Sequence, residues 1–493
     1  MSRVVPRAGK ALGWRAAQLA GTQIISLIRL LILTSLVAPD AFGLLAVATA
    51  SIGLLMGLTN IGMVQALVQR PNPTEEEYDI AWTVGLLRAA AVSAILMVLA
   101  PVFAGMFDTP QATQIVRLMA LRPIIAAAGS IGVARLTREL AFRRLAFIAL
   151  PPALVDAVVA IAFAAYGVWA LVAGTLIGAV AQVIMSYLLA PHRVRFRFDT
   201  TAAEPLVRFG QWILFIGVVS LVGSSLTQLV ISRTLDAAAL GRYFVASKLA
   251  FLASETAAAV IGSVAFPLYA AHRDDAHRTA AAFGALLTGQ MVVFLPALAI
   301  LFVLAPELDH TLGAQWAGTA PTMQILTFAC AIGLFGDAVS PLLLGQGRAD
   351  RAFVVEIVQT GVRLLLLVPM VIWLGIPGAA LAWLIGNLAG QIVGASFARQ
   401  ILRHALDTLA AKRLTVAVAT SLLAAAVAAS VSAVLAGLPA LVVGSIVAGL
   451  AAIAMLWLFD RFLALHLAEL LPWHADWARP TAVTPVSPSP VDA

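Results

Sequence analysis

The sequence predicts an all-α integral membrane protein of about fourteen transmembrane helices, arranged as two six-helix lobes related by a parallel repeat, with two further helices at the C-terminal end. Three observations predict this. Of 493 residues, 61% are hydrophobic and 11% charged, with a mean hydropathy of +0.98, whereas a soluble domain is roughly a quarter charged. Apolar runs of roughly 20 residues or more recur from Trp14 to Phe459, each long enough to cross a hydrocarbon core of about 30 Å at about 1.5 Å per residue. The second half of the chain also echoes the first.

Cutting at Pro, Gly and charge clusters places the spans near 14–37, 41–67, 80–105, 114–134, 146–165, 168–190, 208–235, 238–268, 279–305, 318–344, 352–374, 378–400, 414–436 and 439–459. The domains expected are an N-terminal segment 1–13, a first lobe 14–190, a linking loop 191–207, a second lobe 208–402, the last two helices within 403–460 and a tail 461–493. The first run carries Gln18, Thr22, Gln23 and Arg29 and is too long and polar for a cleaved signal peptide. The tail is Pro-rich and polar, a composition of disordered segments.

Charge sets the orientation. Arg3, Arg7 and Lys10, then Arg135, Arg138, Arg143 and Arg144, then Arg193, Arg195 and Arg197, and later Arg273, Arg278, Arg348, Arg351, Arg399, Arg403, Lys412 and Arg413 all fall on one side. The alternate connections, near Pro39, Asp108, Gly167, Asp236, Glu307 to Gln315, Gly375 and Gly437, hold none. Short cytoplasmic loops carry the excess of Lys and Arg, so both termini are expected in the cytoplasm. The formal charge of +7 is thereby a membrane-orientation signal, not one for nucleic acid. Cys330 is the single cysteine and reads as a small packing residue.

A shift of 198 residues lays Thr34, Val37, Gly43 and Ala48 over Ser232, Leu235, Gly241 and Ala246; a shift of 208 lays Tyr166–Gly178 over Leu374–Gly386, and one of 206 lays Ala146 and Phe147 over Ala352 and Phe353. Both halves begin on the same side, so the repeat axis runs along the membrane normal. In transporters such repeats flank the substrate path.

Polar residues mark candidate cavity faces. Gln18, Thr22, Ser26 and Arg29 form one stripe on the first helix, and Ser220, Ser224, Thr227 and Gln228 form the matching stripe on the seventh. Hydroxyls alone also serve as glue between transmembrane helices. Arg29 sits roughly 22 Å into its helix, and a charge at that depth costs at least about 2.5–3.5 kcal/mol unless it faces a bundle interior or wet cavity. Arg363, on a face with Gln359, Thr360 and Glu356, and Lys248, with Glu255 two turns on, are similarly central. Arg88 and Arg122 are secondary cavity candidates with Glu255 and Glu356, while Arg88, Arg117, Arg233 and Arg242 are near enough to span ends to snorkel. Three roles fit Asp156 and Asp337: binding a coupling cation (H+ or Na+), relaying a proton, or neutralising an arginine. Eight deep cations (Arg29, Arg88, Arg117, Arg122, Arg233, Arg242, Lys248, Arg363) face four anions (Asp156, Glu255, Asp337, Glu356), a balance suited to an anionic substrate.

Several activities lack their signatures. No GxxxxGK[ST] phosphate loop occurs, the seven histidines are scattered with no HExxH, and Glu307 to Gln315 is expected as the longest outer loop, its charges solvated. No catalytic or metal-ligating residue and no resident cofactor is expected.

The stretches ALGWRAAQLAGTQIISLIRLLILTSLVAPDAFGLLAVA, ARLTRELAFRRLAFI, YGVWALVAG and RFGQWILFIGVVSLVGSSLTQLVISRTLDAAALGRYFVASKL resemble polysaccharide-biosynthesis membrane proteins. They are similar to Wzx-type and colanic-acid-type flippases of the multidrug/oligosaccharidyl-lipid/polysaccharide exporter superfamily, over the chain to about residue 460. The resemblance implies a V-shaped, alternating-access transporter whose usual substrate is an undecaprenyl-pyrophosphate-linked oligosaccharide, with membrane lipids and other synthesis or export proteins as partners. It also implies an arginine-rich cavity, for which Arg29, Lys248 and Arg363 are the best positions. Drug exporters of the superfamily often place an aspartate in the first helix; this chain has Arg29 there. A cation-coupled small-molecule exporter is the alternative, and a membrane glycosyltransferase or polymerase a third reading that lacks an extramembrane catalytic loop.

Overall fold

A computed structural model describes residues 5–59, 74–139, 141–192, 195–196, 204–272, 275–405 and 408–463. The first-lobe helices are α1 (Val5–Leu36), α2 (Pro39–Leu58), α3 (Glu75–Met106), α4 (Ala112–Met119), α5 (Leu121–Ala127), α6 (Gly132–Arg138), α7 (Phe142–Ala162) and α8 (Val168–Leu189). Those of the second lobe are α9 (Glu204–Thr234), α10 (Ala237–Ala271), α11 (Ala276–Leu312), α12 (Thr319–Gly345), α13 (Ala349–Leu374) and α14 (Ile376–Ala405), followed by α15 (Thr408–Ser432) and α16 (Leu438–Leu463). Among the described residues every regular element is helical, as a chain surrounded by lipid requires of its backbone. The expected tail, most of the linking loop and the end of the second expected span lie outside the described residues.

Twelve helices among the described residues are long and apolar enough to cross a membrane, thirteen if a bent pair is one span. This differs from the expected fourteen at two places. The fourth expected span, 114–134, is broken into α4, α5 and α6, with a 59° bend before Gly132. Pro123 has no N–H to give the carbonyl four residues back, so the helix is interrupted at Ala120. The helix at the eighth expected span, α10, has 35 residues but carries Arg242, Lys248 and Glu255 and is outside the twelve.

Helix starts follow from local chemistry. Thr74 and Glu77 form a reciprocal capping box at α3, the Thr74 hydroxyl accepting from the Glu77 amide at 3.3 Å and the Glu77 carboxylate from the Thr74 amide at 3.0 Å. Glu75, Glu76 and Glu77 lie at the positive end of the helix dipole. Asp275 caps α11 by accepting from the His277 and Arg278 amides, and that bonding holds its carboxyl below the usual range. Gly167 (φ +60°) and Gly375 (φ +66°) open α8 and α14 in a backbone conformation that side chains disfavour. They are 208 residues apart, the offset found in the sequence.

One expectation about the outer loops is corrected. Glu307, Asp309 and His310 lie not in a loop but on α11, which continues to Leu312; His310 is exposed, whereas Glu307 and Asp309 are half-buried. The Glu307 carboxylate accepts the Gly437 amide at 2.8 Å, ahead of α16, and Asp309 accepts the Ala320 amide at 3.3 Å in the first turn of α12. The two carboxylates satisfy backbone donors of neighbouring helices.

The lobes meet on the side whose connections carry no Lys or Arg, and they meet reciprocally. A Cβ on Gly43 would fall on the Ala237 carbonyl, and a Cβ on Gly241 on the Pro39 carbonyl; both pairs are related by 198 residues. The hydroxyl of Ser232, at the end of α9, donates to the Phe107 carbonyl after α3 at 2.5 Å. Its repeat mate Thr34, at the end of α1, accepts from the Trp316 indole after α11 at 2.9 Å. Trp316 is fully buried, edge-on to Phe42. A two-fold relation between the lobes generates such exchanged contacts. On the outside of the second lobe, α15 and α16 pack through Ala424, Ala428, Ala448 and Ala452 against Ile300 and Leu304 of α11.

Candidate functional site

Exposure separates lipid faces from others. On α1, Ile24, Ile28 and Ile32 are exposed at every fourth residue, the stripe expected to face acyl chains. Gln18, Thr22, Ser26 and Arg29 lie on the opposite side of that helix, Ser26 exposed and Thr22 half-buried with its hydroxyl returned to the Gln18 and Leu19 carbonyls. On α9, Phe215 and Leu226 are exposed on one side, and Ser220 and Ser224 on the other. The helix α10 differs from both: no large apolar side chain of its described residues is exposed. What it exposes is Lys248, Glu255, Ala258 and Gly262, which share one face at 100° per residue. A charged face of this kind is costly to leave against lipid.

The deep charges are arranged differently in the two lobes. Arg29 of α1 pairs with Asp156 of α7, Nη2 to Oδ1 at 3.0 Å, the side chains 18% and 27% exposed. Of the three roles open to Asp156, neutralising an arginine is the one the geometry satisfies. Asp156 reaches Arg29 because α7 remains helical through Pro151 and Pro152 and because Gly174 and Gly178 of α8 leave room beside it. In the second lobe Gly386 of α14 lies against the Arg363 Cβ and the Gln359 carbonyl, as Gly178 lies against the Asp156 Cβ and the Pro152 carbonyl. Arg363 thus occupies the position of Asp156, and it is 6% exposed. Its guanidinium reaches toward Gly223 of α9, and its Nε and Nη2 are buried without hydrogen-bond partners.

The remaining predicted residues are spread more widely. Lys248 and Glu255 are both exposed on α10, and no ion pair joins them. Thr227 is buried, its hydroxyl donating to the Gly223 carbonyl at 2.8 Å, and the Gln228 Oε1 is buried without a partner. Gln359 packs on Gly390, while Glu356 accepts the Thr360 hydroxyl at 3.2 Å. Arg88 has a buried, unpartnered Nη1, and Arg117 and Arg122 are exposed. Arg233 and Arg242 reach the Gly105 and Gln315 carbonyls at 3.5 Å at the outer ends of the lobes. Asp337 of α12 has a buried Oδ2 with no partner.

Two groups were not foreseen. Asn387 donates to the Ala329 carbonyl at 2.8 Å and accepts from Gln391 at 2.8 Å, while Gln290 donates to the Leu334 carbonyl, so amides tie α11, α12 and α14 together. Amides at i and i+4 in an apolar helix were the available signal. At the end of the first lobe rich in basic residues, His192 lies 2.9 Å from Asp79 and 3.7 Å from Glu75. Histidine and carboxylates from segments so distant in sequence gave no motif.

The chain matches a family described as polysaccharide biosynthesis protein over residues 32–321, a stretch that spans both lobes. The chain belongs to the polysaccharide biosynthesis protein family. Relatives in this family include lipopolysaccharide biosynthesis protein WzxC of Escherichia coli K12, 23% identical and covering 75% of each chain. The succinoglycan biosynthesis transport protein ExoT of Rhizobium meliloti is 25% identical, over 69% of this chain and 70% of its own. Among solved structures, lipid II flippase MurJ in an inward closed conformation aligns with a TM-score of 0.65 at 14% identity, covering 91% of this chain and 99% of MurJ. An inward-facing multidrug MATE transporter aligns with a TM-score of 0.62 at 16% identity, covering 78% and 96%. These likenesses establish the same multi-pass transporter fold for this polysaccharide biosynthesis protein.

Proposed function

We propose that this chain is a flippase that carries a lipid-linked oligosaccharide, with an undecaprenyl-pyrophosphate carrier, from the cytoplasmic to the periplasmic leaflet of the bacterial inner membrane. The single observation that carries the reading is the charged, lipid-unfit face of α10, Lys248 with Glu255, together with the family to which the chain belongs. A head group bearing phosphates needs cationic partners inside the membrane, and its acyl tail can stay in the bilayer while the head crosses. Among the described residues Lys248 has no carboxylate partner, which leaves its ammonium to meet a phosphate. Ser26, Ser220 and Ser224 supply hydroxyls for sugar contacts. Arg29 is held ready by Asp156, which keeps the guanidinium neutralised until an anionic head group competes for it.

Both termini and the basic connections belong in the cytoplasm on the charge distribution, so the sealed ends of the lobes face the periplasm and the cavity receives substrate from the synthesis side. Transport alternates as the contacts of Gly43 and Gly241 part. Coupling to H+ or Na+ is assigned to Asp337, whose buried oxygen has no protein partner. Engagement of Asp156 by Arg29 disfavours the cation-coupled drug exporter, since that carboxylate is already committed.

The test is reconstitution of the purified chain in liposomes. Translocation of a pyrophosphate-linked lipid oligosaccharide, lost in Lys248→Gln and Arg29→Ala, is the expected result. Failure to move any such lipid, with extrusion of a cationic dye down a proton gradient, would overturn the reading.

A further inference from the structure

We infer that Arg363 is the seat of a small inorganic anion bound inside the second lobe, between α9, α13 and α14. The guanidinium presents five N–H donors and can shed none of its charge. Here it is 6% exposed, two of its nitrogens are buried with no hydrogen-bond partner, and no carboxylate among the described residues lies within ion-pair distance. Glu356, two turns away on the same helix, is engaged by the Thr360 hydroxyl. A buried charge is retained only when paired and hydrogen-bonded. In the first lobe Arg29 has the Asp156 carboxylate at 3.0 Å; at the equivalent place the second lobe holds the cation and, among the described residues, no carboxylate within ion-pair distance.

The surroundings of Arg363 limit the size of the anion. Gly223 of α9 has no side chain where one would strike the Arg363 Nη2, and the Thr360 methyl closes the site from below. The Arg363 stem is pinned by Gly386 of α14. With α9, α13 and α14 in close contact around Arg363, a sugar pyrophosphate would have to part α9 from α13, so the anion proposed is halide-sized. The site is separate from the exposed face of α10, and the inference does not rest on the transport reading.

Equilibrium binding of radiolabelled chloride to the full chain, purified in halide-free gluconate buffer, tests this directly, with thermal unfolding followed in parallel. One saturable chloride per chain, displaced by bromide and raising the unfolding midpoint, is expected. Arg363→Gln should lose both effects and the exposed Arg403→Gln neither. Gly223→Ala, which keeps the arginine but crowds its Nη2, should weaken binding, and it carries the test if Arg363→Gln does not fold. Absence of saturable chloride binding to the unaltered chain overturns the inference, as does retention of binding in Arg363→Gln or its loss in Arg403→Gln. Binding of inorganic pyrophosphate but not chloride would likewise overturn it and return Arg363 to the head-group cavity, whereas failure of lipid translocation alone would strike only the transport reading.

Discussion

The two lobes share a backbone plan and differ in where they put charge. In each, a glycine of the sixth helix, Gly178 or Gly386, presses on the fifth helix at the same place, and a positive-φ glycine, Gly167 or Gly375, starts that sixth helix. Yet the fifth-helix residue under that glycine is Asp156 in the first lobe and Arg363 in the second. On the leading helices, Arg29 is matched by Thr227. The duplication therefore conserved helix packing while its electrostatics were inverted, which teaches that packing and charge answer to different demands: the first to the fold, the second to what passes through or binds within it.

The largest effect is expected from breaking the one lobe that is internally neutralised. Arg29→Ala leaves the Asp156 carboxylate unpaired at depth, and removing one partner of a buried pair costs about 3–5 kcal/mol. Lipid translocation should fall below detection, with a lowered unfolding midpoint in detergent. Asp156→Asn should cost a similar amount, and exchanging the two as Arg29→Asp with Asp156→Arg should recover stability in a double-mutant cycle. If the two single changes are additive, the pair is not coupled and the contrast between the lobes fails.

Equal glycine substitutions in the two lobes sharpen the comparison. Gly178→Ala and Gly386→Ala each push a methyl into the fifth helix, an overpacking that typically costs about 1–3 kcal/mol. The two should be destabilising to within about 0.5 kcal/mol of each other if the packing is truly repeated, as read from unfolding midpoints. Gly43→Ala and Gly241→Ala strike carbonyls across the lobes in the same reciprocal way. They should loosen the outer seal, raising the labelling rate of a cysteine placed at Thr34 by a membrane-impermeant thiol reagent, and both should do so alike.

The smallest effect on stability is expected at α10. Lys248 is exposed and unpaired, and substitutions of that kind usually stay within about 0.5 kcal/mol. Lys248→Gln should therefore leave the unfolding midpoint unchanged while transport falls, a separation that a structural role for this lysine would not produce.

Helix positions were largely legible because bilayer thickness imposes a length on every apolar run, and Gly, Pro and Asp mark the ends. The repeat offsets of 198 and 208 reappear in space as the Gly43 and Gly241 contacts and the Gly167 and Gly375 turns. Partners were not legible. Periodicity places Arg29 on a polar face, but nothing in sequence says that Asp156, on a helix reached only after four others, stands opposite it. Arg363 has the spacing of a cavity residue, yet the side-chain-free surface of Gly223 draws it into the interior, and that depends on how α9 and α13 cross. Likewise Glu307 and Asp309 looked like solvated loop charges because a donor such as the Gly437 amide is visible only in three dimensions. The interruption at Ala120 was written in Pro123, whose effect composition alone could not distinguish from the tolerated Pro151 and Pro152, while the 59° bend falls beyond it, between Ala127 and Gly132.

The outer seam has a bearing on the energetics of the whole membrane. Its contacts are glycines against carbonyls, a buried indole bonded to Thr34 and a hydroxyl bonded to Phe107. Tight backbone contact of this kind leaves no space for a continuous file of water. A conduit wide enough for an oligosaccharide would otherwise leak protons whenever it opened to one side, and the seam thereby insulates the membrane potential from the traffic it supports.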